Sequence, residues 1–156
     1  MHNFTHVDLE MMELAFEQAK RAMNAGEVPV GAVVTLNGRV LSERHNERER
    51  AADPSAHAEI LALRDAAASL GTWHLEGAEV YVTMEPCPMC AGALVLSRVK
   101  RLVYATVDPK AGACGSLYNL CDDPRLNHRV QIEEGLLADE VGDLLSEFFT
   151  GLRKGD

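Results

Sequence analysis

The stretch EVYVTMEPCPMCAGALVLS, residues 79–97, decides the fold. Glu79 to Met84 is apolar and β-branched and reads as a short strand. The turn Cys87-Pro88-Met89-Cys90 follows at once. Pro88 suits a first helical position, where its missing N–H would have no partner anyway, and the run to Ser97 completes a helix. Leu102 to Thr106 reads as the next strand. Two cysteines three positions apart at a helix start suggest a pair of metal ligands.

Upstream, Asp8 to Ala25 carries Leu9, Met12, Phe16, Ala19 and Met23 at helical spacing, with Gly26 as the stop. Pro29 to Leu36 is a strand, and Asn37-Gly38 is the two-residue turn that best suits a hairpin, since both positions tolerate φ > 0. Val40 to about His45 is the returning strand, and the charged run Glu43 to Asp53 reads as a loop. A second helix is expected from near Ser55, capped by Asp53 or by Ser55 itself. Ile60, Leu63, Ala67 and Leu70 form its stripe, and Gly71 ends it. Downstream, Val107 to Asn127 lacks periodicity, and a loop that long is usually functional or partly helical. Val130 to Ile132 is a short strand and Leu137 to Gly151 a last helix, with Leu137, Val141, Leu144 and Phe148 inward. The order of elements predicts an α/β domain in three layers, α/β/α, around a mixed sheet of about five strands that includes an antiparallel pair.

At 156 residues the chain fits one domain over 1–156, long enough to bury roughly two-thirds of its unfolded surface. No apolar run approaches the ~20 residues of a membrane span, and MHNFTHVDLE lacks the basic start and apolar core of a signal peptide. The expected compartment is the cytoplasm, where four cysteines are metal ligands or free thiols rather than disulfides. The net charge of −9 argues against non-specific nucleic-acid binding. Residues 98–129, however, hold six cations (Arg98, Lys100, Arg101, Lys110, Arg125, Arg129) against three acids (Asp108, Asp122, Asp123). That imbalance fits a small, specific anionic partner, and equally a solvated face.

His57-Ala58-Glu59 opens the second helix as Cys87 opens the third. His57, Cys87 and Cys90 would give zinc one imidazole and two thiolates, leaving the fourth tetrahedral position for water, as in a catalytic site. Helix N-termini favour the thiolate, and zinc lowers the pKa of its water from ~9 towards ~7. Glu59 lies two positions from His57 and so off its helical face. In a first turn, though, both side chains can wrap towards something beyond the helix end. A carboxylate there is placed for acid–base work, typically ~10²–10⁴-fold, as in hydrolysis of an amine at a carbon next to ring nitrogen. Two other uses stay open: a redox pair, and a structural site that recruits Cys114 and Cys121, although their spacing suits a zinc ribbon poorly. On the simplest reading Cys114 and Cys121 are buried thiols, and His2, His6, His45, His74 and His128 are surface or hydrogen-bonded residues.

HAE at 57–59 followed by PCPMC at 86–90 matches the H-x-E…P-C-x-x-C signature of zinc nucleobase deaminases, whose mechanism is taken over from that group with the match. EVPVGAV (27–33), HAEI (57–60), VYVTMEPCPMCAGA (80–93), SRV (97–99), the 108–116 segment and NHRV (127–130) resemble bacterial tRNA-specific adenosine deaminases, in order and over nearly the whole chain. The resemblance implies a homodimer of cytidine-deaminase-like subunits that hydrolyses adenosine to inosine at wobble position 34 of a tRNA anticodon. The expected substrate is the anticodon arm of an arginine tRNA with an ACG anticodon. It also implies one Zn2+ per subunit on His57, Cys87 and Cys90, attack by zinc-bound hydroxide, and Glu59 as proton shuttle. Asn46 would hydrogen-bond the base; Val30, Met84 and Pro86 would wall its pocket; Asp108 and Lys110 belong to a segment expected at the anticodon-loop backbone. Some members carry a longer basic C-terminal tail where this sequence has Gly-Leu-Arg-Lys-Gly-Asp, so fewer phosphate contacts are expected at that end. The competing expectations are a deaminase of free guanine or cytosine, and a non-catalytic zinc-stabilised RNA-binding module.

Overall fold

The computed structural model describes residues 3–154, with side chains up to residue 152. His2 and the last residues of the C-terminal run lie outside the described residues. The elements are α1 (His6–Asn24), β1 (Gly31–Leu36), β2 (Arg39–His45), α2 (Arg48–Ala51), α3 (Ala58–Leu70), β3 (Ala78–Met84), α4 (Pro88–Leu96), β4 (Arg101–Thr106), β5 (Gln131–Glu134) and α5 (Ala138–Lys154). A 3₁₀ turn spans Leu120–Asp122.

The five strands form one sheet in the order β2-β1-β3-β4-β5. β1 pairs antiparallel with β2 and β3, whereas β3–β4 and β4–β5 are parallel. The sheet is therefore mixed, as expected. Asn37 (φ 53) and Gly38 (φ 78) make the tight hairpin turn between β1 and β2. A parallel neighbour cannot be reached by such a turn and needs a crossover. α4 supplies the crossover from β3 to β4; the 107–130 segment supplies the one from β4 to β5, with no helix beyond its 3₁₀ turn.

Alternate strand residues point to opposite faces, and both faces are covered. Val34, Val80, Val82 and Leu102 pack with Ala62, Leu63, Leu94 and Val95 under α3 and α4. Val33, Tyr81 and Val103 pack with Met12, Ala15, Val141 and Leu145 under α1 and α5. Those are the three layers. The α1 contact is so close that a Cβ on Gly31 would lie 2.0 Å from the Ala15 carbonyl oxygen.

The expected boundaries shift in three places. α1 starts earlier than Asp8, because Thr5 and Asp8 form a reciprocal capping box at its N-terminus. Its buried face runs through Met11, Met12, Ala15 and Ala22, leaving Leu9, Phe16 and Met23 half-buried. The charged run after β2 is not all loop: Arg48–Ala51 makes a helical turn whose Glu49 and Arg50 N–H groups donate to the buried Glu27 carboxylate. α3 starts at Ala58 rather than near Ser55. Its N-cap is His57, because the Asp53 side chain is spent on the Ser55 N–H and hydroxyl.

Asp8 has a second task. Arg101 donates to it through both terminal nitrogens (2.8 and 3.0 Å), to Glu79 (2.6 Å) and to Glu133, while Tyr81 donates its hydroxyl to Asp8 (2.7 Å). Arg101 therefore belongs to an internal network that ties α1 to β3, β4 and β5. It is not part of a cationic surface. Its guanidinium holds the Asp8 carboxyl well below the usual carboxylate range. A depressed folded-state pKa contributes stability above the ordinary value of 3.8, and that stability is lost as pH falls below it. Arg101→Met should cost about 3–5 kcal/mol in urea unfolding at pH 7, because it strands buried carboxylates. The gap in stability between wild type and Asp8→Asn should close as pH is lowered below about 4.

Candidate active site

The β1–β2–β3 register brings the start of β1 together with the ends of β2 and β3. Gly31 lies opposite His45, and Ala32 opposite Val82. Val30, Asn46 and Met84 therefore emerge at one end of the sheet, with the end of β4 beside them. α3 and α4 both begin at this end, with His57 and Cys87 as N-caps in extended backbone conformations (ψ 150 and 175). Neither N-cap side chain bonds its own helix's backbone. They face each other instead. His57 Nδ1 lies 3.6 Å from Cys87 Sγ and 3.5 Å from Cys90 Sγ.

Those separations decide whether a metal fits. A tetrahedral ion with bonds of ~2.3 Å to sulfur and ~2.05 Å to nitrogen holds S and N ligand atoms about 3.6 Å apart. The three ligand atoms lie within 4.8 Å of one another and form a group that could hold a metal ion. An imidazole with two thiols is a donor set suited to zinc. Donation from Cys90, with His57 beside it, pulls the Cys87 thiol down to about 4. The same interaction and burial push Cys90 up, and the Cys87 contact raises His57.

Glu59 is buried and lines the same cavity of ≈ 260 Å³ as His57 and Cys87. The first-turn geometry brings the two side chains together although they are two positions apart. Burial pushes the Glu59 carboxyl up to about 7, partly opposed by its own backbone N–H and by His57. Val30, Asn46, Met84 and Asp108 also line the cavity. Asn46 is held on both sides: its amide nitrogen donates to the Val28 carbonyl (3.3 Å), and its oxygen accepts from the Arg48 N–H (3.1 Å). Pro86 is buried outside the lining, and Lys110 stands exposed on the outer side of its loop. Three residues that the sequence left unremarked also belong here. Arg48, Glu85 and Phe149 line the cavity, the last arriving from α5. A buried acid between an apolar strand and a Pro-Cys turn was a readable sign for Glu85; nothing local marked Phe149.

Cys114 and Cys121 are buried free thiols, 3.8 Å apart and outside the His57 group. Among the other histidines, His45 contacts the Asn46 carbonyl, His74 stacks on Trp73, and His128 contacts the Val99 carbonyl.

A mixed sheet with H-x-E and P-C-x-x-C at two facing helix starts defines a hydrolytic deaminase. Residues 7–153 match the MafB19-like deaminase family. The tRNA-specific adenosine deaminase of Bacillus subtilis (strain 168) is 50% identical over 150 residues, covering 96% of this chain and 92% of the relative. A solved structure from a study of A-to-I editing by tRNA:A34 deaminases is 41% identical with a TM-score of 0.84, covering 86% of this chain and 98% of that one. A guanine deaminase from Nitrosomonas europaea is 25% identical with a TM-score of 0.78, covering 95% and 86%. The chain belongs to the tRNA-specific adenosine deaminase family.

Metal loading should release protons, since Cys90 must ionise and His57 must be neutral to ligate. Zinc affinity should therefore fall as pH is lowered, measurable by competition with a chromophoric chelator. Cys87→Ala should lose the metal and Cys114→Ser should keep it, by elemental analysis; release of zinc from Cys114→Ser would overturn the three-ligand group.

Proposed function

We propose that this chain hydrolyses adenosine to inosine at wobble position 34 of a tRNA anticodon, as one domain over 1–156 with one zinc per subunit held by His57, Cys87 and Cys90. The observation that carries the reading is the buried Glu59 carboxylate, which shares a cavity with a His/Cys/Cys group spaced for a tetrahedral ion. The metal, when bound, supplies the Lewis acidity that makes water nucleophilic near neutral pH. Glu59 takes the proton of the attacking water and delivers it to the amino group, which leaves as ammonia while the purine becomes hypoxanthine. A buried carboxyl beside the ligand group is placed for both halves of that transfer.

The cavity is smaller than the range of drug-sized pockets and suits one extruded base. Val30 and Met84 give it apolar walls, Pro86 backs it, and Asn46, fixed from both sides, offers its amide edge to the base. Asp108 and the exposed Lys110 carry the loop at the mouth, where flanking nucleotides of the anticodon arm would lie. RNA loop bases are unstacked and can be splayed into such a pocket, unlike bases of a duplex. The substrate we favour is an arginine tRNA with an ACG anticodon, met in the cytoplasm. No helix among the described residues is long and apolar enough to cross a membrane. A homodimer would cover the apolar depression around Ile60, Trp73 and Leu96, where Trp73 is 58% and Leu96 70% exposed.

Acting on a free base such as guanine or cytosine is the second reading, and the net charge of −9 suits it. Incubation with an ACG anticodon stem-loop, beside free adenine, guanine, cytosine and cytidine, separates the two. Inosine in the stem-loop, read by sequencing, is the expected result; turnover of a free base alone would replace this reading. Glu59→Ala should abolish deamination while retaining about one zinc per chain, and retained activity would remove Glu59 from the mechanism.

A further inference from the structure

Glu85 follows the last residue of β3, and its N–H extends the sheet by donating to the Thr106 carbonyl (2.9 Å). The residue is only 3% exposed and lines the cavity. Its carboxylate accepts from the N–H groups of Asp108 (3.0 Å), Cys114 (3.1 Å) and Ser116 (2.9 Å) and from the Ser116 hydroxyl. The next peptide joins in, with the Pro86 carbonyl accepting from the Ala113 N–H (2.8 Å). Gly112 lies against the same carboxylate: a Cβ there would stand 2.3 Å from Glu85 Cδ. One side chain, two positions before a metal-ligand candidate, thus holds both ends of the 108–116 segment and has its middle pressed onto it.

This segment carries no member of the His57/Cys87/Cys90 group. Its inner side supplies Asp108 and Ala111 to the cavity that contains Glu59. Its outer side exposes Lys110, whose N–H, like that of Ala111, is tied to Asp108 Oδ1 (3.1 and 3.2 Å). The segment is a preformed wall at the mouth of the pocket, shaped by an acceptor that it does not itself contain.

We infer that Glu85 is a positioning residue for the RNA substrate, acting through the 108–116 segment to set the grip on nucleotides around the reacting base. The inference rests on the RNA-deaminating reading above. A carboxylate serves several converging donors because both its oxygens only accept. The amide of a glutamine would turn an N–H against an N–H at one of these contacts, and the segment would have to reseat. The groups that move protons and ligate metal lie at the starts of α3 and α4, outside this segment, so the loss falls on substrate binding.

The test compares Glu85→Gln and Ser116→Ala with wild type on an anticodon stem-loop, measuring kcat, KM, zinc content and RNA affinity by fluorescence anisotropy. Glu85→Gln should raise KM and weaken RNA binding about tenfold, with kcat within about twofold and zinc retained. Ser116→Ala, which removes one donor and leaves the carboxylate, should shift KM the same way by a smaller factor. Unchanged KM and affinity in Glu85→Gln would overturn the inference, as would a fall in kcat alone. Parallel loss of zinc would make Glu85 a support of the cysteine turn instead. Should Glu85→Gln fail to fold, Ser116→Ala decides, with unchanged KM and affinity again overturning. A wild-type chain that binds the stem-loop without deaminating it would strike the RNA-deaminase reading, whereas the anisotropy difference would still report on Glu85.

Discussion

Two helices begin at the same end of one sheet, and their N-termini face each other. Each N-terminus carries unpaired N–H groups and a partial positive charge, so the meeting is unfavourable unless something anionic lies between them. Cys87 provides it, with the Cys90 thiol donating to its sulfur. The Cys87 thiol is pulled far below its ordinary value, and the two N-cap side chains are turned on one another rather than onto their own backbones. Sheet order, the α4 crossover and the placement of His57 all converge on this junction. A bound cation would make use of the thiolate charge gathered there.

Polar loops around the junction are held from below by buried carboxylates. Glu27 accepts from Glu49 and Arg50 N–H groups and so shapes the turn that follows Asn46; Glu85 does the same for the 108–116 segment. Both acids are almost fully buried, and both are satisfied by backbone N–H groups, joined at Glu85 by the Ser116 hydroxyl, rather than by cations. This gives loop-borne groups the rigidity of the sheet. Rigidity of this kind lets the pocket hold its shape.

Electrostatics at the surface are narrower than the sequence count suggested. Arg101 is sequestered by Asp8, Glu79 and Glu133, and Arg125 is paired with Asp123. Of the six cations between 98 and 129, Lys100, Lys110 and Arg129 are exposed and stand outside these ion pairs. So few free cations would leave an anionic partner's affinity to shape rather than charge, with only a small salt dependence.

Local chemistry determined much of this protein by itself. Apolar, β-branched runs marked the strands, Asn37-Gly38 made the hairpin, and Pro88 after Cys87 placed the cysteine pair at a helix start. Spacing alone left the Cys-Pro-Met-Cys turn open among redox, structural and catalytic uses. His57 is thirty positions upstream of Cys87, and only the shared sheet end brings Nδ1 within 3.6 Å of its sulfur. The N-cap of α3 was misjudged because Asp53, a good capping residue, found a nearer partner in Ser55. Arg101 passed for surface charge because its three acids come from α1, β3 and β5. Phe149 was invisible for the same reason, and so were the loop donors that Glu85 gathers. Patterns of period and turn are properties of neighbours in the chain, whereas a pocket is made by residues whose separation only the packed sheet sets.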